Sequence, residues 1–254
     1  VIFSINTDGS DFTLLHEFVG DADDGGAPDA RLVYSEGVFY GTTSVGGDAD
    51  NGVIFSINSD GSDFTLLHEF EYAVSGSNPK SELTLVGDTL YGMTKEGTED
   101  ETGLIFSIKT DGSDFTILHD FTGSETDGEN PGGSLLYYNN KLYGTTVGGG
   151  SDSSGTLFSI NLDGSGFELL HSFDSADSTD GYAPEASLTY YSGKLYGTTD
   201  SGGSNDTGSI FYCRIEAEEQ TPSQQNNSPF STSYGQSAPG HCSDPVPFGQ
   251  IELF

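Results

Sequence analysis

Residues 1–18 read VIFSINTDGSDFTLLHEF, and residues 53–70 repeat them with one difference, Thr7 against Ser59. The unit returns as LIFSIKTDGSDFTILHDF at 104–121 and as TLFSINLDGSGFELLHSF at 156–173. Its anchor phenylalanines, Phe3, Phe55, Phe106, Phe158 and Phe211, stand 52, 51, 52 and 53 positions apart. Tyr-Gly-Thr-Thr is a second anchor at 40–43, 143–146 and 196–199, with Tyr91-Gly92-Met93-Thr94 as its variant. A period of this length restricts the chain to an array of one supersecondary unit, because a single unit cannot bury its own apolar face.

Each period holds four strand-like runs. In the first complete copy, run A is LVYS at 32–35, B is VFYGTTS at 38–44, C is VIFSIN at 53–58 and D is FTLLHEF at 64–70. The A–B links hold Glu36-Gly37, Gly87-Asp88, Asn139-Asn140 or Ser192-Gly193, residues that tolerate positive φ in tight hairpins. Asp-Gly-Ser makes the C–D link in the same way. Gly-Gly and Asp-Gly at these positions break any helical apolar period, which excludes a helical solenoid. A β-solenoid usually has shorter rungs. The expected fold is all-β: a β-propeller over residues 1–215, built from four-stranded repeats, with about four blades or more. The N-terminus supplies only C and D, and the last copy supplies A at 188–191, B at 195–199 and C at 209–215. A blade made from 188–199 plus 1–18 would leave 209–215 over. The ring is therefore expected to be incomplete, with repeats upstream of Val1, or to be completed by another chain.

Residues 216–254 form a second region, rich in Ser, Pro, Gln and Asn and without a period, and read as a linker or irregular wrap. Its last seven residues, 248–254, match the spacing of run D and are expected to add an outer strand. Cys213 stands where the other copies have Ile57, Ile108 or Ile160, and Cys242 is the other cysteine. A disulfide between Cys213 and Cys242 is the expectation, and it implies an oxidising compartment. Asn205-Asp206-Thr207 and Asn226-Asn227-Ser228 are glycosylation sequons.

The chain carries 40 Asp+Glu against 7 Lys+Arg, a formal charge of −33. That excludes direct binding to nucleic-acid phosphates, which needs a basic face, and disfavours anionic membrane surfaces. No apolar run approaches the roughly 20 residues of a membrane span.

Three motifs recur in register: Tyr-Gly-Thr-Thr-x-x-Gly-Gly, then Gly-x-x-Phe-Ser-Ile, then Asp-Gly-Ser-x-Phe-x-x-Leu-His-x-Phe. This pattern resembles the tandem-repeat family named after Gloeobacter and Verrucomicrobia, the GloVer or choice-of-anchor repeats. The resemblance covers about residues 1–215. It implies a secreted or surface-displayed propeller-like array, in proteins that often carry a C-terminal sorting anchor. It implies no activity. The C-terminus here departs from that pattern, with no apolar anchor helix and basic flank.

His16, His68, His119 and His171 share one position in run D. Strict alternation would put Phe12, Leu14, His16 and Phe18 on one face, so hydrogen-bonded structural histidines are expected. His241 lies in the tail. The Asp-Gly-Ser-Asp turns do not have EF-hand spacing and read as hairpin chemistry. The other acids fall in the B–C and D–A loops, which leave an up-and-down blade on the same side. Asp23, Asp24, Asp48, Asp50, Asp127, Glu129, Asp152 and Asp180 are thus the candidate ligands for Ca²⁺, a cation that prefers oxygen-rich loops. A solvated acidic face is the plainer alternative.

Arg31 and Arg214 are the only arginines, too few for the carboxylate-holding cluster of a sialidase-type propeller. The net charge would repel the anionic substrates of polysaccharide lyases. The most deviant copy, with Pro79, Lys80, Met93, Lys95 and Glu96, shows no nucleophile–base arrangement. The first functional expectation is a non-catalytic scaffold or adhesion protein, extracellular or on the cell surface. It would associate with itself, with surface proteins or with glycans, and assemble by strand completion between chains. The alternative is a carbohydrate-binding or carbohydrate-cleaving propeller with its site at the channel mouth, where Tyr34, Tyr137, Tyr138, Tyr190 and Tyr191 would stack on sugars.

Overall fold

The computed structural model describes residues 1–99, 101–177, 180–215 and 242–243. Strands in blade 1 run A Val33–Ser35, B Val38–Thr43, C Val53–Asn58 and D Thr65–Glu69, hydrogen-bonded in that order. Blade 2 repeats this with Thr84–Val86, Thr89–Thr94, Leu104–Lys109 and Thr116–Asp120. Blade 3 has Leu136–Tyr138, Lys141–Gly149, Thr156–Asn161 and Glu168–Ser172. In blade 4, Thr189–Tyr191, Lys194–Thr199 and Ser209–Arg214 are joined by Cys242–Ser243 as strand D. Ile2–Ser4 and Thr13–His16 pair as a C–D half-blade. The last A–B pair therefore takes its own C run as partner and does not join residues 1–18. Residues 248–254, expected as an outer strand, lie outside the described residues, as do His241 and the Asn226 sequon.

The hairpins are the turns the sequence predicts. Glu36 and Gly37 have φ of 49° and 91°, and Asn139 and Asn140 have 48° and 61°, as a two-residue turn with two left-handed positions requires. In the C–D turns the Asp side chain caps the serine two residues on, for example Asp60 with the Ser62 N–H at 3.0 Å and its hydroxyl at 2.7 Å.

The apolar core lies between blades. Ile54 of blade 1 packs with Leu90, Phe106 and Ile108 of blade 2. Ile105 of blade 2 packs with Leu142 and Phe158 of blade 3, and Leu157 of blade 3 with Leu195 and Phe211 of blade 4. Neighbouring C-strand residues thus serve opposite interfaces, as alternation requires. The Phe of each C strand also lies over the Gly of its own B strand. A Cβ on Gly92 would stand 2.4 Å from Phe106 Cζ, and one on Gly144 2.5 Å from Phe158 Cζ. Glycine in Tyr-Gly-Thr-Thr is there to seat that ring.

Strand D departs from the sequence expectation. A β-bulge recurs at one place in every C–D pairing of the half-blade and blades 1–3: between Ile2 and Phe3, Ile54 and Phe55, Ile105 and Phe106, and Leu157 and Phe158. The extra residue on strand D breaks the two-residue period and turns the strand's second half to the other face. Phe64 and Leu66 accordingly pack toward the half-blade, whereas Leu67 and Phe70 pack toward blade 2. Phe12, Leu14, His16 and Phe18 do not share one face.

Candidate functional site

The four A strands face one cavity of about 980 Å³, the common axis of the blades. The run entering each A strand is Pro-x-x-x-Leu, at Pro28, Pro79, Pro131 and Pro184. The variable positions of that run line the cavity: Asp29, Lys80, Gly132 and Glu185 at the first, Arg31, Glu82, Ser134 and Ser187 two residues on. Hydroxyl bridges tie adjacent inner runs together. The Glu82 N–H donates to Ser134 Oγ at 3.0 Å, and the Ser134 N–H to Ser187 Oγ at 2.9 Å. Gly133 is required at this crossing, since a Cβ there would lie 2.3 Å from the Ser187 nitrogen. Tyr34, 59% exposed, stands on the same wall. Of the other candidate tyrosines, Tyr138 and Tyr190 stack on each other at 3.8 Å, and the Tyr190 hydroxyl donates to Tyr138 Oη at 2.7 Å.

The repeat histidines form the second constellation, at the blade junctions. His16, His68 and His119 each lie flat on a phenylalanine of the next blade, Phe64, Phe115 and Phe167, with centroids 3.9, 3.8 and 4.0 Å apart. Three of the four are held by an aspartate of the following D–A loop. His16 Nε2 lies 3.0 Å from Asp24, His119 2.9 Å from Asp127 and His171 3.0 Å from Asp180. Each aspartate is buried and also accepts backbone N–H groups. For Asp24 these are Val19 and Gly25, both at 2.8 Å; for Asp127 they are Thr122 at 3.0 Å and Gly128 at 2.8 Å. Burial pushes the Asp127 carboxyl up, but hydrogen bonds from His119, Gly128 and Thr122 outweigh it and hold the group below its ordinary value.

The fourth junction lacks this clamp. The loop after His68 carries the helix Tyr72–Ser75, and Ser75-Gly76 occupies the place of Asp-Gly. Ser75 Oγ accepts the Glu71 N–H at 2.9 Å, but the buried His68 Nε2 has no hydrogen-bond partner among the described residues. A cavity of about 430 Å³ opens beside it, lined by Glu69, Glu71 and Val74 among others. Burial lowers the His68 pKa from 6.5 to about 4. The unfolded chain therefore takes up this proton first, and stability should fall as pH drops from about 6.5 toward 4. His68→Phe keeps the stack and removes the unpaired nitrogen. The variant should equal or exceed the parent by up to about 1 kcal/mol and flatten that pH window; denaturation midpoints at a series of pH values read both effects.

The candidate Ca²⁺ ligands are placed as follows. Asp24, Asp127 and Asp180 are the histidine clamps. Asp50 accepts the Gly46 N–H at 2.9 Å, Asp152 accepts Ser154 and Ser175 hydroxyls at 2.9 and 2.7 Å, and the Asp48 N–H donates to Glu69 at 2.8 Å. Glu129 accepts from Asn130 at 3.2 Å, and the Asp23 N–H donates to Asp21 at 3.2 Å. The B–C and D–A loops do meet, as in the pairing of Gly25–Gly26 with Val45–Gly46. Among the described residues, however, no three His, Cys, Asp or Glu side chains gather as a metal site. Strand register sets Cys242 opposite the buried Cys213.

The aspartate clamps are not read from the sequence alone, in which those residues are candidate cation ligands or part of a solvated acidic face. Their signal was present: His-x-Phe followed by Asp-Gly, at His16 and Asp24, His119 and Asp127, and His171 and Asp180. Of the residues lining the channel, Tyr34 and Lys80 are singled out by the sequence; Asp29, Glu82 and Glu185 carry no signal there, because they do not recur from copy to copy.

No helix among the described residues is long and apolar enough to cross a membrane. Among curated proteins, none matches the chain. Solved structures similar to it include that of a nidogen/laminin complex, at 18% identity over 74% of this chain and 75% of that one, with a TM-score of 0.42. Another is putative TolB from Agrobacterium tumefaciens, at 14% identity over 71% of this chain and 57% of that one, with a TM-score of 0.43. Likenesses this distant carry no argument of their own; the β-propeller stands on the blades and axial cavity of this chain. A family model, the Gloeobacter/Verrucomicrobia repeat, matches residues 1–234. The recurring Tyr-Gly-Thr-Thr and Asp-Gly-Ser motifs, the four like blades and that match agree: this chain belongs to the Gloeobacter/Verrucomicrobia repeat family.

Proposed function

We propose that the protein is an extracellular or cell-surface propeller scaffold that adheres and assembles by docking blade face to blade face between chains. One observation carries this reading. Phe3, Ile5, Phe12 and Leu14 of the half-blade are 53%, 49%, 62% and 49% exposed, while Phe55 and Ile57, the counterparts of Phe3 and Ile5 in blade 1, are fully buried. At the far end of the array Ile210 is 53% exposed, while its counterparts Ile54, Ile105 and Leu157 are buried. The two surfaces are the opposite halves of an interface the molecule already makes internally. Contiguous apolar surface of this kind marks an interaction site, and unlike complementary faces give head-to-tail association. A Cys213–Cys242 bond belongs to the same reading; it is supported by their register and suits an oxidising compartment.

Sedimentation and electron microscopy of the purified chain, with its thiols counted by alkylation, test the proposal. Concentration-dependent oligomers and no free thiol are expected, and Phe12→Glu should dissociate the oligomers while leaving the fold intact. A monodisperse monomer at high concentration would sink assembly, and two alkylatable thiols would sink the bond.

A further inference from the structure

Four of the copies share most of their strand residues, yet the positions around the axis differ from blade to blade. Residues 1–18 and 53–70 differ at one position, whereas the two channel positions read Asp and Arg in blade 1, Lys and Glu in blade 2, Gly and Ser in blade 3, Glu and Ser in blade 4. Packing explains the uniform part: each junction buries the same side chains. It does not explain the differences at these two positions, which line the cavity. A cavity of about 980 Å³ is of the size that holds a ligand of a few rings.

The chemistry of its wall is selective. Lys109 pairs with Asp88 at 2.7 Å, Lys141 with Glu168 at 3.9 Å, and Lys194 covers the Tyr212 ring at 4.0 Å. Arg31 and Lys80, like Lys95 and Arg214 elsewhere, have no ion pair among the described residues, although Asp29, Glu82 and Glu185 line the same cavity. An anionic ligand would meet these three carboxylates within a chain of charge −33, and a cationic one would meet Arg31 and Lys80. An apolar ligand would strip water from five charged groups and give nothing back. Vicinal hydroxyl groups satisfy both kinds of group at once: they accept from guanidinium and ammonium, donate to carboxylates, and do either with Ser134 and Ser187. The exposed ring of Tyr34 offers an apolar face with a polar tip, suited to the C–H face of a sugar.

We propose that the channel mouth is a binding site for a neutral oligosaccharide, held by Arg31, Lys80 and Glu185 and stacked on Tyr34. Binding is non-covalent and involves no bond cleavage. The inference does not rest on assembly, and it supplies an adhesive scaffold with a target.

The test is a panel of neutral glucan, mannan, galactan and xylan oligosaccharides beside uronic-acid and amino-sugar counterparts, probed by calorimetry with the whole chain. Saturable binding of a neutral glycan is expected, weakened at least about tenfold by Tyr34→Ala and by Lys80→Ala. Tyr191→Ala, exposed but outside the cavity, should bind like the parent, and denaturation midpoints confirm that each variant is folded. Silence across the neutral panel, preference for the charged glycans, or binding untouched by both channel variants would overturn the proposal. Oligomeric state is read separately, so failure here leaves the scaffold reading standing.

Discussion

Asp127→Ala is expected to lower the stability of the protein by about 2–4 kcal/mol, measured as a shift in the urea unfolding midpoint at constant slope. The carboxylate is buried and accepts from His119, the Thr122 N–H, the Thr122 hydroxyl and the Gly128 N–H. Removing it takes the acceptor from His119 and from the Thr122 and Gly128 N–H groups, whereas the Thr122 hydroxyl keeps Ser124 Oγ at 3.1 Å; leaving part-buried donors unpaired is costlier than the net worth of any one bond. The fourth junction supplies the converse experiment inside the same molecule. Ser75→Asp restores Asp-Gly after His68 and should add about 1 kcal/mol. It should also raise the His68 pKa from its present value of about 4, because a carboxylate beside the ring favours the imidazolium. Titration of the His68 ring by NMR reads this directly. If Asp127→Ala stays within about 0.5 kcal/mol of the parent, or His68 titrates unchanged in Ser75→Asp, the clamp is not a stabilising device.

Phe158→Ala should cost about 3–5 kcal/mol, while the same change at Phe3, measured at a concentration low enough for the chain to be monomeric, should cost less than about 1 kcal/mol. Both residues are the Phe of Phe-Ser-Ile in strand C. Phe158 is fully buried, edge-on to Phe121 at 5.4 Å and stacked on Phe167 at 5.5 Å. Phe3 is 53% exposed and, among the described residues, stacks on Phe12 alone, at 5.2 Å. Its truncation removes little buried area and leaves no cavity. Equal losses at the two sites would show that the half-blade face is covered in solution, which would support association between chains over an isolated molecule.

The contrast between Phe3 and Phe158 also shows where sequence reading stops. The hairpins were legible because their chemistry is local: Glu36-Gly37 and Asn139-Asn140 are among the residue pairs that accept two left-handed conformations, and Asp60 caps the turn it belongs to. The four strands per period were legible because their apolar runs alternate between turns. The face reversal in strand D was not. Leu14 and His16 stand two apart in the sequence as if on one face, but the bulge falls between them, and nothing in FTLLHEF signals the extra residue that the pairing with VIFSIN forces into the strand. Nor is the role of Asp24 legible locally, since an Asp before two glycines reads equally as a turn residue or a cation ligand; only the recurrence of His-x-Phe ahead of Asp-Gly points to His16 as its partner.

The sequence by itself determined the unit, its strand order and its turns, because these follow from short-range conformational preference and from a period repeated often enough to be certain. Tertiary structure decided which copies bury their phenylalanines, which aspartates meet a histidine and which variable side chains face one another across the axis. Those outcomes depend on what lies opposite a residue in space, and copies with the same local sequence have different neighbours.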